Sequence, residues 1–453
     1  MPMRDRARWA PAVLFSMAVL SAPAIWNRFP LLQYDTGGYL ARWYEPYLVP
    51  SRAVAYGLIL NVGAALSFWP VVLGQSALTV WVIALILRVH GLGGRPGLLA
   101  GIVAGLSVFS TLPWLTSILL TDIFAGLAVL ALYLLLLRAN DLNGREQTGL
   151  VALIAASVAT HSATFAVLLT LLAAATLLSL VAPGRLPRRR LGNGALAIAL
   201  GATLVFAANA TVTKRLTWTP GGFALSFGRM LQDGIVKKYL DEHCPKARLV
   251  LCAYKDELPR DADEWFWGSA LFDKLGRFKG LDHEMERITL ASLAEYPLLQ
   301  IKTAAIATAR QLIDVRTGEG VVSSIWHTYG IVERYCPDLV PEMRAARQQH
   351  GEINFTLINR VHYPVALACL LLLPLIGGYM LRRPEMNELG ELAAVCLLAL
   401  LANAFVCGTL SNPHDRYGAR LIWLALTVAA IAAVRVYEER QRLRAAALVL
   451  SPR

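Results

Sequence analysis

Residues 33–40 read Gln33-Tyr34-Asp35-Thr36-Gly37-Gly38-Tyr39-Leu40, and the stretch continues through Arg42, Trp43, Tyr44, Glu45 and Pro46 to Pro50-Ser51-Arg52. Carboxylates, arginines, a glycine pair and a row of aromatics stand here between two long apolar runs. A carboxylate at the edge of an apolar phase gives up hydration, so it persists where a partner compensates it or a reaction uses it.

The flanking runs decide the fold class. The chain has 453 residues, 56% hydrophobic and 16% charged, whereas soluble domains carry about 25% charged residues. Apolar stretches of roughly 18 residues or more, the length of a bilayer-crossing helix, recur along it. Open sheets are excluded from lipid, because their edge N–H and C=O groups find no partner there. The expectation is an all-α polytopic membrane protein of about ten transmembrane helices, near 9–27, 68–88, 97–112, 120–138, 148–160, 162–182, 194–213, 361–381, 389–408 and 418–436. Met1–Trp26 has signal-peptide features: Arg4, Arg6 and Arg8, an apolar core and a Ser21-Ala22-Pro23-Ala24 end. Its apolar part is long and further spans follow, so it reads as a retained first helix.

Charge sets the orientation. The formal charge of +12 would suit nucleic acid, but the excess Lys and Arg sit in short loops and no basic-aromatic nucleic-acid module is present. With the N-terminus inside, the inner connections hold Arg88 and Arg95, Arg138 and Arg145, then Arg185, Arg188, Arg189 and Arg190, then Arg382 and Arg383, and last the Arg-rich tail. The outer connections at Pro113–Leu119 and around His161 hold no Lys or Arg. That is the positive-inside pattern, with both termini cytoplasmic and the 33–52 stretch outside.

Three units follow: an N-terminal transmembrane module over 1–213 with a first outer loop at 28–67, an extracytoplasmic domain over 214–360, and a C-terminal transmembrane module with cytoplasmic tail over 361–453. Ala53–Leu60 reads as a short helix at the outer surface. Leu281–Val315 has helical periodicity that Pro297 should kink or split. It fits either an interfacial helix, with Lys302 and Arg310 over headgroups, or an ordinary core helix of the domain. Cys369, Cys396 and Cys407 lie in spans and read as packing residues. Cys244 and Cys252 suit a disulfide in the outer domain, with Cys336 an equally available partner. No zinc spacing occurs.

Carboxylates narrow the search further. Outside the outer domain, the inner loops and the termini, four remain: Asp35, Glu45, Asp122 and Asp415, all at outer ends of spans or in outer loops. Asp35 is a site residue or part of a capped turn, since Asp-Thr-Gly-Gly is also turn chemistry. Asp122, in Leu119-Leu120-Thr121-Asp122, is a site residue or an N-cap, and the two roles are compatible. Thr160-His161-Ser162 breaks an apolar run, and His161 is either a hydrogen-bonded interfacial residue or a ligand group. Asn412-Pro413-His414-Asp415-Arg416-Tyr417 forms the last outer loop. An arginine there runs against the charge rule, and its planar fork suits a phosphate; the alternative is a structural pair with Asp415 or another carboxylate. Arg52 is a second phosphate candidate. Asp261-Ala262-Asp263-Glu264 resembles a metal triplet but reads as a solvated loop. There is no nucleophile elbow, no glycine-rich nucleotide loop and no evident repeat of the kind inverted-repeat transporters have.

Taken in order, these features resemble the GT-C superfamily of membrane glycosyltransferases, of the protein mannosyltransferase and lipid A aminoarabinose transferase type. They are one helix, an acidic first outer loop, a surface helix opening near Arg52-Ala53-Val54-Ala55-Tyr56-Gly57-Leu58, and a span from Val71-Val72-Leu73-Gly74-Gln75-Ser76. The Leu-Thr-Asp start at 120–122, the Thr160-His161-Ser162 break and the late Asp415-Arg416-Tyr417 follow. The resemblance covers residues 1–182 and about 360–436. It departs from the family at Thr36, where a second acid is common, at His161, where arginine is usual, and over 214–360.

The resemblance implies a polyprenyl-phosphate-linked sugar donor, a lipid, glycan or protein acceptor, and no nucleic acid. It places the site on the extracytoplasmic side of a bacterial inner membrane. Asp35 takes the position of the catalytic acidic residue, Asp122 that of the acidic residue at the helix start, and Arg416-Tyr417 that of the late Arg-Tyr. Inverting transfer needs a carboxylate to take the acceptor proton and cations to steady the leaving phosphate. Asp35 and Asp122 are thus the catalytic candidates, and Arg52, Glu45, His161, His414, Arg416 and Tyr417 the substrate-binding ones. No cofactor is expected; arginines can neutralise the phosphate without a metal ion, and a metal ion stays open. The competing class is a lipid or solute transporter or flippase, which would set charges nearer the bilayer midplane. An assembly subunit using 214–360 to hold partners is a third.

Overall fold

The helix Asp122–Leu137 is apolar on every side, and a helix of that pattern has to be enclosed by others. It is the centre of the molecule, with every residue from Asp122 to Leu136 buried. The structure, a computed structural model, describes residues 3–45, 52–184, 186–219 and 222–450; Arg185 and the Pro46–Ser51 part of the first loop lie outside them.

In chain order the first half comprises α1 (Met3–Leu20), α2 (Ala22–Asn27), α3 (Thr36–Tyr44), α4 (Val54–Ala64), α5 (Trp69–Leu87), α6 (Pro96–Phe109), α7 (Leu112–Ser117) and the central α8 (Asp122–Leu137). Then come α9 (Gly144–Thr160), α10 (Ser162–Val181) and α11 (Arg188–Thr213). The polar segment holds α12 (Phe223–Gln232), α13 (Ile235–His243), α14 (Ala270–Lys274), α15 (Arg277–Glu295), α16 (Pro297–Ile313), α17 (Trp326–Tyr335) and α18 (Val340–Ala345). The chain closes with α19 (Phe355–Leu381), α20 (Asn387–Leu410) and α21 (Asp415–Leu450). Among the described residues there is no strand; the nearest thing is a parallel bridge between Leu31 and Ile118.

Six helical stretches are long and apolar enough to cross a membrane: Trp69–Leu92, Ser162–Val181, Arg188–Thr213, Phe355–Leu381, Pro384–Leu410 and Asp415–Arg444. Three more of the ten expected positions carry shorter apolar helices, Arg8–Leu20, Pro96–Phe109 and Asp122–Leu137. At 1.5 Å per residue these shorter ones fall below the roughly 30 Å hydrocarbon thickness. The tenth, α9, has 17 residues and begins in a polar capping box built by Asn143 and Glu146.

Ion pairs tie one set of helix connections together. Arg88 meets Glu146 at 2.7 Å, and Arg138 meets Glu388 at 3.0 Å and Glu391 at 2.7 Å, while Arg95 pairs with Glu438. These contacts gather the connections after α5, α8 and α19 at one end. A cavity of about 430 Å³ lies there, lined by Arg88, His90, Glu388 and Arg435 among others. Asp35, Asp122, His161 and Arg416 lie at the other end.

The 214–360 segment contains two kinds of structure. Residues from α12 to α15 enclose a core of their own, built on Phe227, Trp265, Phe266, Phe272, Phe278 and Met285. A disulfide joins Cys244 to Cys252 beside it, and Cys336 is free and buried elsewhere. Beyond Pro297, which separates α15 from α16, the chain returns to the bundle. Val315, Val321, Ile325, Tyr329, Val332 and Met343 belong to the same core as α8. Helix α16 packs along α20 with Gln300, Ala307 and Gln311 buried, and leaves Leu298, Ile301 and Ile306 exposed.

Candidate active site

The first outer loop is tied to the chain just before α8. Leu31 N–H donates to the Ser117 carbonyl, Leu119 N–H donates to the Leu31 carbonyl, and Thr36 Oγ1 donates to the Leu119 carbonyl at 3.0 Å. These bonds place Asp35 beside Asp122 although 87 positions separate them in the chain. Helix α17 locks the loop from above: Thr328 Oγ1 accepts from the Gly37 N–H and donates to the Gln33 and Tyr34 carbonyls. Gly37 is needed for that approach, since a Cβ there would lie 2.6 Å from the Thr328 Cα.

Asp35 stands at the N-cap position of α3, yet its side chain does not cap the helix. It turns to two arginines instead. Arg52 Nη2 donates to one carboxylate oxygen and Arg416 Nη1 donates to the other at 2.5 Å. Arg416, in the first turn of α21, also donates Nε to Asp122 Oδ2 at 2.7 Å, and its backbone N–H to Glu319 Oε2 at 2.7 Å. Asp122 does not act as a helix cap through its second oxygen either: Oδ1 is buried and has no hydrogen-bond partner. One guanidinium therefore joins two aspartates, each from a different segment. The side chains of Asp35, Arg416 and Asp122 are 15%, 13% and 3% exposed, so solvent screens these contacts little.

Burial pushes the Asp35 carboxyl up, but the charges of Arg52 and Arg416 outweigh it and hold the group below its ordinary value. His414 shows the opposite balance. Its Nδ1 lies 2.6 Å from Glu319 Oε1 and its Nε2 3.4 Å from Asp263 Oδ2. Burial would lower its pKa, but those two carboxylates push it up to about 10.

Five of the expected site residues, Asp35, Asp122, Arg52, His414 and Arg416, thus come together directly or through one intermediate. Tyr417 lies at their edge, its ring 5.7 Å from the Arg416 guanidinium and 5.9 Å from that of Arg420. His161 is one turn deeper: it faces Arg420 Nη1 at 3.1 Å, and since a guanidinium only donates, the ring nitrogen there accepts. Glu45 is elsewhere. It accepts from Arg42 and from Tyr335 at the far end of α3, about 13 Å of helix from Asp35. Asp415 pairs with Arg316, not with Arg416.

Three contributors were not legible as site residues. Glu319 lies between Gly318 and Gly320, both at positive φ, so the backbone turns sharply and presents the carboxylate to His414 and Arg416. An acid bracketed by glycines was the available signal. Asp263 belongs to the triplet read as a solvated loop; Asp261 does cap its own turn, but Asp263 reaches His414. Arg420 is fully buried, bonded to Asn403 Oδ1 at 2.9 Å through Nε and at 2.5 Å through Nη2, and to Cys407 at 3.3 Å. Among the described residues, no three His, Cys, Asp or Glu side chains converge as a metal-ligand group.

No family model matches the sequence, and no curated protein matches it. One solved structure is similar: archaeal oligosaccharyltransferase AglB from Archaeoglobus fulgidus, in complex with an inhibitory peptide and a dolichol-phosphate, at 13% identity and a TM-score of 0.40. The alignment covers 100% of this chain and 52% of that one, so the chain spans about half the length of that protein.

Proposed function

We propose that this chain is an integral membrane glycosyltransferase of the GT-C type, moving a sugar from a polyprenyl-phosphate donor to an acceptor at the extracytoplasmic face. The observation that carries the reading is the Asp35–Arg416–Asp122 junction, with Arg52 on its flank, at the end of the bundle opposite the Arg-rich connections. Carboxylates and planar cations in contact, at the level where spans end, are what phosphate departure and acceptor deprotonation both require.

The chemistry runs as one displacement. The acceptor oxygen or nitrogen attacks the anomeric carbon, the bond from that carbon to the phosphate oxygen breaks, and the electron pair leaves on polyprenyl phosphate. Arg52 and Arg416 take the growing phosphate charge. The acceptor proton goes to Asp35. In the free protein both oxygens of Asp35 are occupied by those same arginines, which makes it a poor base. A donor phosphate is a competing anion for Arg52 and Arg416. Its arrival draws them away and raises the basicity of Asp35, so the base is uncovered only when donor is bound. Asp122 keeps hold of Arg416 through Nε during this exchange.

A transporter or flippase remains the second reading, and Arg420 is the residue that favours it, being a fully buried cation with neutral partners. Its bonds reach α20 and the start of α10, which suits a fixed rivet better than a moving gate. The test is direct: purified protein in detergent is given a polyprenyl-phosphate sugar, and sugar release is followed for wild type and Asp35→Asn. Transfer by wild type that the variant lacks supports the enzyme; movement of intact lipid without bond cleavage supports the transporter.

A further inference from the structure

Asp122 has one oxygen too many for its surroundings. Oδ2 takes the Arg416 N–H, while Oδ1 is buried and accepts nothing. Leaving a buried carboxylate oxygen unpaired is costly, so a partner from outside the chain is the natural completion. Beside it lies a small chamber whose walls include Gln33, Trp114, Leu115, Leu120 and Glu319, with a volume of about 20 Å³. A water-sized group needs roughly 10–15 Å³ measured this way, so the chamber admits a single small group and not a sugar ring.

Several of the other polar groups on the wall are already used. Gln33 accepts from the Asp35 N–H and donates to the Glu319 carbonyl. The Glu319 carboxylate takes His414 and the Arg416 N–H. Thr317 Oγ1 is engaged with His362, and Thr111 Oγ1 donates to the Ala419 carbonyl. Asp122 Oδ1 is left open as a negatively charged acceptor, so a guest on that oxygen has to be a hydrogen-bond donor.

We propose that this chamber is the acceptor subsite, and that it receives one non-reacting hydroxyl or amine group of the acceptor, hydrogen-bonded to Asp122 Oδ1, while the neighbouring reacting group gives its proton to Asp35. The proposal rests on the transfer reading and sharpens it: Asp35 answers to the donor through its arginines, and Asp122 answers to the acceptor. Because Asp122 and Asp35 share Arg416, the bound group lies next to the cation that steadies the leaving phosphate. In the free protein a water molecule has the right size and the right polarity.

Two measurements test it. The first does not involve activity. High-resolution cryo-electron microscopy of the wild-type protein in nanodiscs should show a water within hydrogen-bond distance of Asp122 Oδ1. A protein donor on that oxygen, or an apolar side chain filling the chamber, overturns the proposal. The second uses undecaprenyl-phosphate mannose as donor and ethylene glycol as acceptor, one hydroxyl to react and one for the chamber, following hydroxyethyl mannoside. Asp122→Asn keeps the shape, but Arg416 Nε forces the amide oxygen towards itself and leaves an N–H facing the chamber, where it repels a donor. Ala419→Leu instead fills the chamber and leaves the carboxylate intact. Each should cut hydroxyethyl mannoside formation by about tenfold or more, and Ala419→Leu, which leaves the Asp122–Arg416 contact in place, should do so with donor Kd unchanged. Wild-type rates in both variants, each checked as monodisperse, overturn the proposal. If the wild type transfers no sugar at all, the transfer reading fails, and the microscopy judges the chamber independently.

Discussion

The guanidinium of Arg416 donates to the carboxylate of Asp35 at 2.5 Å across 381 positions of sequence. The contact joins the first outer loop to the start of the last helix. It also makes the two groups interdependent, since whatever recruits the arginine changes the acid.

Removing Arg416 should therefore be a stability lesion as well as a functional one. Arg416→Ala leaves Asp122 with no partner on either oxygen and Asp35 with one arginine instead of two. Breaking one side of a buried ion pair costs about 3–5 kcal/mol. Unfolding in detergent should show that loss, and adding Asp122→Asn and Asp35→Asn to Arg416→Ala should return part of it. Arg416→Lys should recover only part of donor binding and turnover, because it lacks the planar fork. Full additivity of the three losses would contradict the shared junction.

His414 gives a pH signature. Its folded pKa of about 10 lies above the ordinary 6.5, so the stability it contributes is fully present below pH 6.5 and is lost as pH rises through about 10. The unfolding midpoint should decline over that window in the wild type. His414→Gln should be less stable near neutrality and show a shallower decline. An identical slope in the variant would mean that the contacts with Glu319 and Asp263 do not hold the charged form.

Orientation can be read by labelling. The free cysteines Cys336, Cys369, Cys396 and Cys407 are all buried, so background reaction should be low. A cysteine placed at Asp261 should react with an impermeant thiol reagent in intact cells, and one at Arg189 should react only after permeabilisation. The reverse pattern would put the Asp35 junction on the cytoplasmic side and remove the extracytoplasmic site.

The disulfide closes a short loop, with Cys244 and Cys252 eight positions apart. On chain-entropy grounds such a loop is worth about 2–3 kcal/mol. Replacing both cysteines by serine should loosen the α12–α15 unit, read as faster proteolysis within 223–295, with little change in the membrane helices. Peptide mapping without reduction should find Cys336 as a free thiol. A Cys336 adduct to either partner would contradict the pairing.

What the sequence made legible followed from short-range physics. Hydropathy marks the long spans because burial in lipid constrains nearly every residue of a helix, and Pro297 marks the α15–α16 break because it lacks an N–H. Asp35, Asp122, Arg52 and Arg416 stood out because charge beside an apolar run is rare. Glu45 was grouped with Asp35 by nearness in sequence, but α3 carries it away to Arg42 and Tyr335. Glu319 and Asp263 lie in a polar segment where acids are ordinary, so nothing local separated them from surface residues. The role of Glu319 depends on where 297–350 folds back onto the bundle, and that of Asp263 on its reach from the α12–α15 unit to His414, long-range packing facts that periodicity does not encode.

The most direct measurement of the central claim is sugar transfer by Asp35→Asn at saturating polyprenyl-phosphate donor, with donor affinity and pH dependence measured alongside. Asparagine keeps the shape and removes the basic oxygen. Turnover should fall by about 10²–10⁴, the usual worth of a general base, with much smaller change in donor affinity. In the wild type the acid limb of kcat should sit at higher pH than that of kcat/KM, because bound donor phosphate draws Arg52 and Arg416 off the carboxylate whose pKa they depress. Near-normal turnover by Asp35→Asn, or a kcat limb at or below that of kcat/KM, would contradict the account.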